Sequence, residues 1–130
     1  MMSHDEKALF PEDLARQFVE RADAANAAAA AGIAALYEEH AVMAFPPGGT
    51  TSGREAIREL WVTVLAAVPH FESQAPLATL TSGDIALTCT VAKDGTGARV
   101  PVARRQSDGS WLRLLDQPEV MTPTRVASPS

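Results

Sequence analysis

The chain of 130 residues contains one cysteine, one tyrosine and seven aromatic residues in all. A lone Cys89 cannot close an intrachain disulfide, which excludes the disulfide-stapled class of small secreted domains. Lysine is almost missing: two Lys stand beside nine Arg, scattered singly apart from Arg104-Arg105, and sixteen acids leave a formal net charge of -5. That is no footprint for a nucleic-acid partner. No apolar run approaches the roughly 18 residues of a membrane span, and the first seven residues lack a basic stretch followed by an apolar one. No membrane partner is expected, and the expected location is cytoplasmic. His40, His70 and Cys89 have no ligand-like spacing, so neither a metal nor another cofactor is expected.

What is present suits one soluble domain, with 46% apolar and 21% charged residues. A chain of this length buries about two-thirds of its unfolded surface without a metal or disulfide. Alanine occurs 24 times, unbroken from Ala27 to Ala31, which raises helix propensity and carries no chemistry.

Residues 1–9 are polar without periodicity and read as a frayed arm. Residues 121–130, with Pro123 and Pro129, read as a flexible tail. The domain between them, 10–120, begins with a helix at Pro11, where a missing N–H costs nothing. Leu14, Phe18, Ala22 and Ala25 give that helix one buried stripe. A second helix runs through Ile33, Leu36 and Tyr37 and ends near His40. A short strand at 41–45 and the turn Pro46-Pro47-Gly48-Gly49 follow. Ser52-Gly53-Arg54-Glu55 has the spacing of a capping box and opens a third helix reaching about Val68, with Ile57, Leu60, Trp61 and Val64 on its apolar face. Four strands are expected after it, at 71–80, 85–91, 98–106 and 111–117, with an Asp108-Gly109 hairpin between the last two. Helices first and antiparallel strands after predict an α+β domain.

The stretch from Leu36 to Ile57, through Glu38-Glu39-His40, an apolar strand and Gly53-Arg54-Glu55-Ala56-Ile57, resembles the NTF2-like superfamily, in particular its SnoaL-like and DUF4440 branches. The resemblance spans about residues 12–118 and includes the late run from Asp108 to Asp116. It departs at Asn26-Ala27-Ala28-Ala29, where the family usually has an Asn-Ala-Gly-Asp type junction. The resemblance implies a cone-shaped NTF2-like barrel, with three N-terminal helices packed against a curved, mostly antiparallel sheet around a deep apolar cavity. It also implies a homodimer formed through the outer sheet face. Ketosteroid isomerases share this fold, but their general base falls on Phe45, their oxyanion tyrosine on Arg21 and their protonated aspartate on Ala103. None of the three is kept, so steroid isomerisation by that route is not expected.

A two-residue Asp108-Gly109 loop would set Arg105, Ala103 and Pro101 on one face with Leu112, Leu114 and Asp116. If that face lines the cavity, desolvation there would raise the Asp116 pKa toward use as an acid or base. SnoaL-like cyclases are similar in relying on a late-strand aspartate. The alternative is that Asp116 binds a backbone N–H or an arginine at a strand end. His70, after Pro69, is either a base at the cavity mouth or a solvated junction residue. Cys89 alternates with Leu87 and Val91 and is expected in the core. Tyr37, Met43, Phe45, Trp61 and Phe71 are expected to line the cavity or pack the core, with Arg105 as a further ligand-binding residue. Two functions follow from these readings: binding of a small apolar or polyketide-like molecule, with acid/base chemistry at Asp116, or a non-catalytic dimeric association module. An epoxide hydrolase relay would need an Asp-Arg-Asp set, of which Asp116 and Arg105 supply only two members.

Overall fold

Helix α1 (Asp13–Ala22) buries Leu14, Phe18 and Ala22 and exposes Arg16 and Glu20, which pair at 2.8 Å one turn apart. The computed structural model describes residues 6–23, 28–45, 48–68, 71, 74–93 and 97–121. Arg21 is buried with the apolar stripe because its guanidinium donates to two backbone carbonyls, Gly32 and Glu6, each at 2.7 Å. The described part of the expected arm is therefore fixed. Ala8 is buried and accepts from the Trp111 N–H at 2.9 Å. The expected tail from 122 onward lies outside the described residues.

Helix α2 (Ala29–Ala34) stops six residues earlier than the helical spacing suggests, and Tyr37–Met43 is strand β1. The reason is tertiary. Strand β8 (Trp111–Met121) runs parallel to this segment, and the Arg113 N–H takes the Leu36 carbonyl at 2.8 Å. Strand pairing outcompetes local helix propensity here. Strand β2 (Thr51–Ser52) then folds back on β1, setting Ser52 opposite Val42.

Helix α3 (Arg54–Ala67) is capped by Gly53 and not by Ser52, and no side-chain cap bond forms. Gly53 has φ 94° and ψ 143°, a region open almost only to glycine. Its N–H donates to Ala41, and the next residue, Arg54, donates through Nε to the Tyr37 carbonyl at 2.9 Å. Ile57 is fully buried. The Gly-Arg-Glu-Ala-Ile motif thus fastens α3 to both ends of β1.

Among the described residues six strands follow α3 where four were expected: β3 (Ala75–Pro76), β4 (Leu80–Ser82), β5 (Ile85–Leu87), β6 (Thr90–Val91), β7 (Gly97–Arg105) and β8. The sheet order is β2-β1-β8-β7-β5-β4, with β6 also on β7 and β3 on β6. All pairs but β1–β8 are antiparallel, and the sheet is curved but does not close into a barrel. Within the 85–91 run Ala86, Thr88 and Thr90 point inward, so Cys89 is only half-buried, between exposed Leu87 and half-buried Val91. The α+β class and the three helices agree with the sequence. Among the described residues no helix is long and apolar enough to cross a membrane.

The β7–β8 hairpin decides which side chains face the helices. Its loop has three residues, 107–109, closed by Gln106 N–H to Ser110 O at 2.7 Å, with Gly109 at φ 87°. This is the three-residue form that ends in a left-handed glycine. It shifts the register by one residue, so Arg105 pairs with Trp111 and Ala103 with Arg113. Trp111 and Arg113 become buried instead of Leu112 and Leu114. An irregularity between Val102 and Ala103 then shifts the register back, and Pro101 faces Asp116.

Candidate functional site

Two adjacent inner rows of the sheet build the site. One runs Ala86, Ala103, Arg113 and Tyr37, and the next Pro101, Asp116 and Met43. Arg99, two residues before Pro101, is on the same face of β7. Three charged side chains and one phenol are therefore buried together, with Asp116 fully inaccessible, Arg113 1% exposed and Arg99 10% exposed.

Arg99 grips Asp116 with one edge of its guanidinium: Nη2 to Oδ2 is 2.6 Å and Nε to Oδ1 is 3.3 Å. The Tyr37 hydroxyl donates to Asp116 Oδ2 in a very short bond and accepts from Arg99 Nη2 at 3.2 Å. Arg113 Nη1 is 4.0 Å from the same oxygen. Burial pushes the Asp116 carboxyl up, but the charges of Arg99 and Arg113 and the two hydrogen bonds outweigh it, holding the group below the usual carboxylate range. Desolvation, then the Asp116 charge, pushes the Tyr37 phenol up to about 12. The cluster consequently holds an ionised aspartate and a neutral tyrosine at neutral pH.

Beside the cluster is a cavity of about 640 Å³. Phe18, Trp61 and Phe71 form its aromatic wall, with ring centres 5.1–5.8 Å apart in tilted and edge-on contacts. Met43, Phe45 and Val64 continue the apolar surface, while Arg99 and Arg113 provide its charged end. The exposed Glu12 and Arg16 also border it. The Arg99 guanidinium is 4.4 Å from the Phe18 ring centre, a cation–π contact.

The sequence-derived candidates separate into groups. Met43, Phe45, Trp61 and Phe71 line the cavity, whereas Tyr37 is buried against Asp116 behind that lining. Asp116 is likewise covered by the two arginines. Arg105, expected as a ligand-binding residue, is exposed at the end of β7 and pairs with Asp84 at 2.5 Å, away from the cavity. His70 lies outside the described residues. Arg99 and Arg113 were missed. Extending the Ala103–Pro101 alternation by one step would have found Arg99, but nothing local signals the register shift that turns Arg113 inward.

The SnoaL-like domain family matches residues 15–113 of the chain. No curated protein matches it. Among solved structures, the chain is similar to a ketosteroid isomerase-like protein from Erwinia carotovora atroseptica, with 18% identity over 85% of this chain and 94% of that one and a TM-score of 0.66. It is also similar to an NTF2-like protein with a cystatin-like fold from Novosphingobium aromaticivorans, at 19% identity over 88% and 81% of the two chains and a TM-score of 0.64. A putative calcium/calmodulin-dependent protein kinase type II association domain from Thiobacillus denitrificans is similar at 19% identity over 88% and 98%, with a TM-score of 0.66. At these identities the structures speak for the fold alone. The family match over most of its length establishes that the chain belongs to the SnoaL-like domain family, and these structures show that it has the NTF2-like fold.

Proposed function

We propose that this protein binds a small, largely apolar molecule in the cavity between α1, α3 and the inner sheet face. The observation that carries this reading is the cavity itself. Its 640 Å³ lies within the range of small-molecule sites, and a mostly apolar wall with a few convergent polar groups is the usual make-up of such sites. Trp61, Phe45 and Met43 border the space and leave it open.

Acid/base chemistry at Asp116 would require its carboxylate to meet the substrate. Both its oxygens are occupied by Arg99 and Tyr37, and the arginines stand between it and the cavity. Asp116 therefore serves as a positioning residue that aims Arg99, and any proton transfer would involve other groups. A thermal-shift screen of hydrophobic metabolites tests the binding reading. A true ligand raises the melting temperature of the wild type but not of Ala15→Phe, which fills the cavity from α1. If no compound distinguishes the two proteins, the reading fails.

A homodimer through the outer sheet face is supported by a second observation. Leu80, Leu87, Val102, Leu115 and Val42 are register partners in sequence across five strands and form one apolar row on that face. Leu80, Leu87 and Leu115 are well exposed in the single chain. Contiguous exposed apolar surface of this kind marks an association face. The name of the Thiobacillus denitrificans neighbour as an association domain is in keeping with this reading. A dimer without any ligand response would make association the main function.

A further inference from the structure

We propose that the cavity selects an anionic ligand, an apolar body bearing a carboxylate or similar oxyanion, and that Arg113 together with Arg99 receives the charged end. This rests on the reading of the cavity as a binding site and names the chemistry of its occupant.

Among the described residues of the buried cluster, two guanidiniums face one carboxylate, leaving one positive charge uncompensated. A buried charge is costly unless it is paired and hydrogen-bonded. Arg99 satisfies that condition through Asp116, Tyr37 and the Phe18 ring. Arg113 meets it only in part: Asp116 is 4.0 Å away and the Phe18 and Tyr37 ring centres are 5.7 and 5.8 Å away, but its Nε and Nη1 are buried with no hydrogen-bond partner. Trp61 Nε1, another donor on the cavity wall, also has no partner.

The unsatisfied groups at the cavity are thus donors, and one carries a full charge. A guanidinium presents N–H groups in a planar fork that matches a carboxylate. The geometry also separates the roles of the arginines. Asp116 and Tyr37 occupy Nε and Nη2 of Arg99 and fix its plane, whereas Arg113, adjacent on β8, supplies the excess charge. Beside the guanidiniums, Phe18, Trp61 and Phe71 offer ring faces and edges to the apolar body.

The test uses a pair of probes with one shape and different charge, 2-naphthoate and 2-naphthamide, titrated calorimetrically into the full chain at neutral pH. The naphthoate should bind at least about tenfold more tightly, as expected for a hydrogen bond to a charged group. Arg113→Met, which conserves the stem and removes the charge, should bring the two affinities to within about twofold, whereas Arg113→Lys, which keeps the charge but loses the planar fork, should retain only part of the preference. Equal binding of both probes to the wild type would overturn the anion proposal and leave the cavity reading standing. Binding of neither would overturn both. A preference unchanged in Arg113→Met would also overturn the proposal, and circular dichroism confirms that each variant is folded.

Discussion

Arg99 and Asp116, on adjacent strands, form a two-bond ion pair with almost no solvent contact, 2.6 Å at its closest. Asp116→Asn would leave two buried arginines without a counter-charge. We expect a loss of about 3–5 kcal/mol of stability, the range for breaking one partner of a buried pair. Arg113→Met should cost far less, because it removes a cation that has no hydrogen bond. Combining the two should cost less than the sum of the single changes, and urea denaturation of all three variants measures that coupling.

Tyr37 is the sole tyrosine of the chain, so the ultraviolet absorbance change of tyrosinate reports this residue alone. Its ionisation should occur near pH 12 instead of near pH 10. The raised folded value means that the neutral phenol stabilises the fold fully below pH 10 and that this contribution is lost as pH rises toward 12. A midpoint near 10 in a protein still folded by circular dichroism would contradict the buried Tyr37–Asp116 contact.

Acid acts through the partner group. The Asp116 carboxyl is held below its ordinary value of 3.8, so its contribution is present above that pH and is lost as pH falls through the lower folded value. Acid unfolding of the wild type should therefore be cooperative with protonation below pH 3.8. In Asp116→Asn that part of the pH dependence should vanish.

Gly53 holds φ 94° at the start of α3, where an added Cβ would meet only Glu39 O, at an ordinary 3.9 Å. Gly53→Ala should cost about 1–3 kcal/mol from backbone conformation alone. Gly48→Ala is the useful comparison for thermal melts, since its φ is 81° but it sits in an exposed turn away from the β1 latch.

The outer row predicts oligomeric behaviour. Leu87→Lys and Leu115→Lys place a charge in the middle of the apolar stripe and should convert a dimer to a monomer in sedimentation velocity. The folded state of each monomer should be nearly unchanged, because both side chains are exposed in the single chain.

The sequence was most legible where local chemistry and fold agree. The amphipathic stripe of α1, the apolar face of α3 and the Gly53–Ile57 motif all fall where their spacing places them. Tyr37 was assigned to a helix because nothing within 36–43 reveals a parallel partner more than seventy residues away. Arg105 shares a face with Ala103 but lies at the end of β7, and Cys89 is out of phase with the buried Ala86, Thr88 and Thr90. Leu112, Arg113 and Leu114 changed faces through strand register, which depends on loop length. Asp-Gly suits a two-residue turn, but it equally ends a three-residue loop, and the difference is one residue of register. Asp116 reached the inner face because the shift at the loop is reversed at Val102/Ala103, whereas Arg113, lying between the two irregularities, was placed on the opposite side.

That reversal makes the interior sensitive to residue count as well as residue type. Removing Leu114 would let β8 pair evenly with β7 while keeping Arg113 opposite Ala103 and Asp116 opposite Pro101. Even pairing without that deletion would instead present Gln117 to the helices and Asp116 to solvent, parting it from Arg99 and Tyr37. Among relatives of this chain, a one-residue gap at that position would mark proteins that keep the ion pair on a straighter strand.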